Sequence, residues 1–229
     1  MYNKTLRLII FFVSLIMGEL SYAQDWADLN RYKSSNEILG RASAGENRII
    51  FMGNSITEGW MQADPEFFKG KSYINRAIGG QTTPQMLLRF RADVVDLHPK
   101  VVVILAGTND IAGNTGPSTL KMIADNIFSM AEIAKINGIK VVISSVLPVY
   151  DYPWRPGLKP AEKIVTLNAM LKEYADKNMM IYLDYFNVMV DKKNGLKKEF
   201  APDGVHPNLA GYKVMEPLVE EAIDKALNY

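Results

Sequence analysis

Apolar positions along this chain follow two alternating patterns. The first is a short unbroken run: residues 48–52, 101–106, 140–146 and 179–183, with a weaker run at 72–76. Unbroken apolarity, as opposed to in-out alternation, suits strands covered on both faces in a parallel sheet. The second pattern is the three-and-four spacing of a helix face. Leu120, Ile123, Ile127, Met130 and Ala134 keep it, as do Ile164, Leu167, Leu171 and Tyr174, and then Tyr212, Met215, Val219, Ala222 and Ala226. Leu87, Phe90 and Val94 follow Thr83-Pro84, which reads as a cap with proline at the first helical position. Residues 24–45 read as a helical or irregular lead-in. Strand and helix alternate with loops of ordinary length, without internal repeat or low-complexity linker. The pattern predicts one three-layer α/β domain over residues 24–229. In such sheets chemistry collects outside the carboxyl ends of the strands.

Four polar blocks stand at those positions. Gly53-Asn54-Ser55-Ile56-Thr57 follows the first run and Ile78-Gly79-Gly80-Gln81 the second. Gly107-Thr108-Asn109-Asp110 follows the third, and Asp203-Gly204-Val205-His206-Pro207-Asn208 precedes the last helix. Taken singly, each is also a plain turn or helix cap. Taken together, they bring a hydroxyl, a carboxamide, an imidazole, a carboxylate and accessible backbone amides to one rim of one sheet. These are the parts of a nucleophilic hydrolase. The Ser55 hydroxyl needs a base to take its proton, and His206 is the candidate. Asp203, three residues earlier, is placed to orient the imidazole. The Ser55 and Gly80 N–H groups and the Asn109 side chain are candidate donors to a developing oxyanion.

On these blocks the chain resembles the GDSL/SGNH hydrolase superfamily, whose name lists its Ser, Gly, Asn and His. The resemblance runs from Gly53 to Asn208. It implies Ser55 as nucleophile, Gly80 and Asn109 as oxyanion donors, and Asp203 with His206 as the relay. It also implies a flavodoxin-like α/β/α sandwich with no bound metal or cofactor. Asn54 stands where the family motif has Asp, beside the nucleophile and outside the relay. Gly79 precedes Gly80, which leaves two adjacent amides; the spacing from Asn75 favours Gly80. Among its branches, the chain is most similar to the platelet-activating-factor acetylhydrolase-like and carbohydrate acetylesterase groups, which implies a short acyl group, acetyl first.

Composition narrows the picture. There is no cysteine, which removes disulfides, thiolate metal sites and a thiol nucleophile, and the two histidines are too few for a three-histidine zinc site. The formal net charge is +1, so no global field draws the protein to nucleic acid. Lys4 and Arg7 precede an apolar run over residues 8–17, and Ser21-Tyr22-Ala23 follows. This is the signature of a secretory signal peptide over residues 1–23, cleaved before Gln24. The run is far shorter than the roughly 20 residues of a membrane span, so no stable membrane insertion is expected after its removal. The protein is expected outside the cytoplasm, periplasmic or released, with stability drawn from its core.

Rival motifs fail. Thr57 stands where a G-x-S-x-G elbow needs glycine. Gly70-Lys71-Ser72 lacks the first glycine of a phosphate loop, since Pro65 holds that place. His98, between a helix end and the third strand, reads as a helix partner or surface residue. The substrate is inferred from aromatic residues near the blocks. Trp60, Tyr152, Trp154 and Arg155 are candidate substrate contacts, the rings for a sugar face or acyl group and Arg155 for an anionic group; packing on the core is the other reading for the aromatics. The expected activity is hydrolysis of short-chain carboxylic esters, acetyl first and on a carbohydrate or other small-molecule alcohol. The alternatives are a lysophospholipase or thioesterase, or a carbohydrate-binding protein without turnover.

Overall fold

A computed structural model describes residues 25–228. The expected signal peptide lies outside the described residues. Five parallel strands form one sheet: β1 (Ile49–Gly53), β2 (Tyr73–Asn75), β3 (Val101–Leu105), β4 (Lys140–Ser144) and β5 (Ile181–Leu183). Their spatial order is β2-β1-β3-β4-β5, the doubly wound, flavodoxin-like arrangement, with the order reversing between β1 and β3. The helices are α1 (Lys33–Leu39), α2 (Ser55–Ala63), α3 (Pro65–Phe68), α4 (Thr83–Asp93), α5 (Thr108–Ile111), α6 (Leu120–Ile136), α7 (Ala161–Lys177), α8 (Phe186–Met189) and α9 (Leu209–Asn228).

The sheet separates two apolar layers. Ile50, Met52, Val102, Ile104, Val141 and Ile143 face α4, α6 and α7. Ile49, Phe51, Val101, Val103, Leu105 and Val142 face α2, α3 and α9. Every residue of β1 and β3 is buried, which is why their sequences carry no polar alternation. The three-layer expectation and the strand positions agree with this architecture. No helix among the described residues is long and apolar enough to cross a membrane.

The expected cap of α4 moves by one residue. Thr82 is the cap: its N–H donates to Gln85 Oε1 at 3.0 Å, and Thr83-Pro84 opens the helix. The reciprocal Thr82–Gln85 arrangement, a capping box, decides the boundary over the proline alone. Thr83 is thereby left free to bond elsewhere.

One face of α4 carries a buried charge. Arg89 is fully buried; its Nε donates to Gln81 Oε1 at 2.6 Å, and its Nη1 donates to the Arg76 carbonyl at 2.6 Å and to Asp93 Oδ2 at 2.9 Å. Burial pulls its pKa below the usual arginine value, opposed by Asp93. The guanidinium therefore joins the end of β2 to the loop that follows it. Arg89→Met should lower the unfolding free energy by about 3–5 kcal/mol, because Asp93 would stay buried without its partner. Urea denaturation measures this, and a loss under about 1 kcal/mol would contradict the clamp.

Candidate active site

The site grows from the strand ends. Gly53 closes β1, packed so tightly that any Cβ there would collide with the Thr57 side chain. Asn54 follows as the cap of α2, its Oδ1 accepting the Ile56 N–H at 3.0 Å. An Asp at this position would offer the same oxygen, so the departure from the family motif preserves the cap. Ser55 is the first residue of α2 and is partly exposed at the rim.

His206 arrives from the other end of the chain. Its Nε2 lies 3.0 Å from Ser55 Oγ, and its Nδ1 lies 2.7 Å from Asp203 Oδ2. Asp203 Oδ1 accepts the N–H groups of His206 at 2.8 Å and Val205 at 2.9 Å, fixing the tight turn. Burial would raise the Asp203 pKa, but the bonds from His206 and Val205 outweigh it and hold the carboxyl below its usual value. An ionised Asp203 only accepts, so Nδ1 carries the proton and Nε2 faces Ser55 as an acceptor. The arrangement can pass a proton from hydroxyl to imidazole.

A local cap on α9 and one bond across the chain hold this pairing. Asn208 Oδ1 accepts the Gly211 N–H at 3.0 Å at the start of α9. The Tyr212 hydroxyl on α9 donates to the Ile56 carbonyl on α2 at 2.8 Å. Trp60 completes the joint, stacked between Phe67 at 4.9 Å and Tyr212 at 5.2 Å between ring centroids. Trp60 is only 2% exposed. The expectation that it contacts substrate is thus corrected: its ring is part of the α2–α9 core.

The Gly79-Gly80-Gln81 loop is held at nearly every polar group. Gly79 N–H donates to Glu58 Oε2 at 2.9 Å. The Gly80 carbonyl accepts from Asn114 Nδ2 at 3.1 Å, and the Gln81 carbonyl accepts from Asn109 Nδ2 at 2.9 Å. Gln81 N–H donates to the Ile78 carbonyl at 3.3 Å. The Gly80 N–H has no partner among the described residues, and Gly80 holds a positive φ of 77° that favours glycine. Asn109 is buried, with one side-chain N–H given to Gln81.

Asp110, next to Asn109, is a participant whose role the sequence pattern does not reveal. It is buried, its Oδ1 accepting the Thr83 hydroxyl at 2.6 Å and the Thr83 N–H at 3.0 Å. It thus ties α5 to the first turn of α4. The only sequence signal is Thr83 left over once Thr82 caps the helix.

The aromatic loop after β4 splits in role. Tyr152 is fully buried, its hydroxyl donating to the Thr108 carbonyl at 2.8 Å; it is a core support, which corrects its expected place against substrate. Arg155 Nη1 donates to the Gly113 carbonyl at 3.0 Å and also to the Ala112 carbonyl. It tethers the loop to the end of α5, and that nitrogen is not free for an anionic group. Trp154 is 44% exposed, 5.1 Å from the Tyr152 ring and 6.0 Å from the His206 ring. His98 sits exposed in a left-handed turn before β3, at the opposite end of the sheet. A cleft of about 510 Å³ borders Gly79 and Gly80, its other walls including Trp26, Asp28, Gln85, Asn114 and Thr115. Among the described residues, no group of three or more His, Asp or Glu is placed to hold a metal ion.

A doubly wound sheet with polar loops at its carboxyl rim is common to many α/β enzymes, and the comparisons narrow the class to hydrolases. Residues 51–214 match the GDSL-like lipase/acylhydrolase family, and the chain belongs to it; in class it is a carboxylic ester hydrolase. The crystal structure of a GDSL-like lipase from Bacteroides thetaiotaomicron is similar at 48% identity and a TM-score of 0.86, over 88% of this chain and 99% of that one. Esterase TesA of Pseudomonas aeruginosa is 25% identical over 185 residues, 76% of this chain and 86% of that protein. The lipoprotein YqeF of Bacillus subtilis is 37% identical over 81 residues, so the match spans only 33% of that protein's length and 34% of this chain.

Burial raises the Asp110 carboxyl to about 6, partly opposed by the Thr83 bonds, against 3.8 for the ordinary group. The folded protein therefore holds this proton to higher pH than the unfolded chain does. Stability should fall as pH rises from about 4 to about 6 and level off above, a trend that Asp110→Asn removes. Thermal midpoints of both proteins across that window measure it, and identical pH trends would contradict it.

Proposed function

We propose that the protein is an exported serine esterase that hydrolyses short-chain carboxylic esters, acetyl first, borne on a carbohydrate. The observation that carries the reading is the hydrogen-bonded chain from Ser55 through His206 to Asp203, at 3.0 Å and 2.7 Å. Ser55 Oγ attacks the acyl carbonyl while its proton moves to His206 Nε2, and the ionised Asp203 stabilises the imidazolium. The carbonyl oxygen becomes an oxyanion and takes hydrogen bonds from the Ser55 N–H at the start of α2, the Gly80 N–H and the second Asn109 N–H. Gly80 is preferred to Gly79 because the Gly79 N–H is already given to Glu58. Collapse breaks the ester C–O bond, and Nε2 returns the proton to the departing alkoxide. Water then repeats the sequence against the acyl-serine and releases the acid.

Two features support a sugar alcohol and a small acyl group. Trp154 offers an exposed ring beside His206, and aromatic faces stack on the apolar faces of pyranose rings. The cleft beside Gly80 presents carboxylate, carboxamide and hydroxyl groups from Asp28, Gln85, Asn114 and Thr115 beside the Trp26 ring, a mixed lining of the kind that holds a sugar by hydrogen bonds and stacking. Export follows from the signal-peptide pattern in residues 1–23.

Purified protein should hydrolyse p-nitrophenyl acetate, and Ser55→Ala should reduce turnover by about 10⁴-fold or more. Acetylated xylo-oligosaccharides should be cleaved with higher kcat/KM than lysophospholipids. Turnover that survives Ser55→Ala would sink the nucleophile, and preference for lysophospholipids would replace the carbohydrate reading with the lipid one.

A further inference from the structure

Glu58 stands one turn beyond Ser55 on α2 and belongs to neither the relay nor the oxyanion donors. Its Oε2 accepts the Gly79 N–H at 2.9 Å. A Cβ on residue 79 would lie 2.8 Å from that oxygen and 3.7 Å from Ser55 Cβ, so carboxylate, glycine backbone and nucleophile form one contact group, and a side chain there would displace the Glu58 carboxylate. We infer that Glu58 is a positioning residue for the oxyanion hole: by holding the Gly79 N–H, it fixes the orientation of the next peptide unit and hence of the Gly80 N–H. The inference rests on the assignment of Gly80 as an oxyanion donor made above.

Three physical features favour this role. The clamp and the nucleophile sit on the same helix, so the spacing between Ser55 and the loop is set by a rigid rod. The Gly80 carbonyl, the Gln81 carbonyl and the Gln81 side-chain oxygen are tied to Asn114, Asn109 and Arg89 respectively, so Glu58 supplies the tie to the nucleophile's own helix. A carboxylate this close would oppose a developing oxyanion, and Arg31 counters it, with Nη2 3.3 Å from Glu58 Oε1. Arg31 is held near the loop by its own segment: Gln81 Nε2 donates to the Ala27 carbonyl at 2.8 Å, and the Tyr32 hydroxyl to the Ala77 carbonyl at 2.5 Å. The chain before α1 therefore braces the oxyanion loop from behind.

Wild type, Glu58→Ala and Glu58→Gln are compared for p-nitrophenyl acetate hydrolysis, inhibition by phenylboronic acid and thermal midpoint. Misplacing one donor by a fraction of an ångström should lower kcat in Glu58→Ala by about 10-fold or more, with KM changed by less than about threefold. Boronate inhibition, which reports the tetrahedral geometry, should weaken by a similar factor. Glu58→Gln, whose carbonyl still accepts the Gly79 N–H, should recover most of the loss. Glu58→Ala kinetics within about twofold of wild type, a loss confined to KM, or Glu58→Gln as impaired as Glu58→Ala would each overturn the inference while leaving the esterase reading intact. Absence of hydrolysis by the wild type would overturn both.

Discussion

The ladder between β1 and β3 is the constraint on which the site depends. The two strands run in parallel register from Ile49 beside Val101 to Gly53 beside Leu105. Both are buried on both faces, so neither can slip by a residue without moving its side chains to the opposite layer. Their equal ends deliver Asn54-Ser55 and Thr108-Asn109 to the same level of the rim, on either side of the point where the strand order reverses. The loop after β2 enters from the adjoining strand. Nothing in the loops themselves is long enough to set these distances; the backbone ladder sets them, and the loops inherit the result.

Polar groups under the rim then lock what the ladder brings together. Arg89 reaches the Arg76 carbonyl and Gln81 from α4. Asp110 reaches Thr83 from α5, and Tyr212 reaches Ile56 from the last helix. Each bond ties one rim segment to a neighbouring element, and each is buried, where an unmet partner is costly. This accounts for a site that stays open to solvent at His206 and Asp203, whose side chains are 40% and 43% exposed, while its supports are dry.

Much of this was legible in the primary structure, for a physical reason. Strands buried on both faces must be apolar without interruption, so 101–106 and 140–146 declare themselves locally. The serine, glycine and imidazole blocks are short and contiguous, and the first two directly follow β1 and β2. What escaped depends on contacts distant in sequence. Trp60 and Tyr152 follow strands as cleft residues do, and only Phe67, Tyr212 and Thr108 make them interior. Arg89 and Asp93 have the spacing of an ordinary surface ion pair on a helix, and burial against the sheet gives them a different role. Thr82 displaces Thr83 as the cap through Gln85, a side-chain choice that proline statistics do not register. The brace formed by Ala27, Arg31 and Tyr32 lies in a lead-in with no periodicity to mark it.

The central claim is one proton transfer, from Ser55 to an imidazole at His206 that Asp203 orients, and covalent trapping tests it most directly. Protein treated with diethyl p-nitrophenyl phosphate should gain one diethylphosphoryl group, located on Ser55 by peptide mass spectrometry, and His206→Ala should take up the label far more slowly. A label on another residue, or equal labelling without the imidazole, would contradict the account.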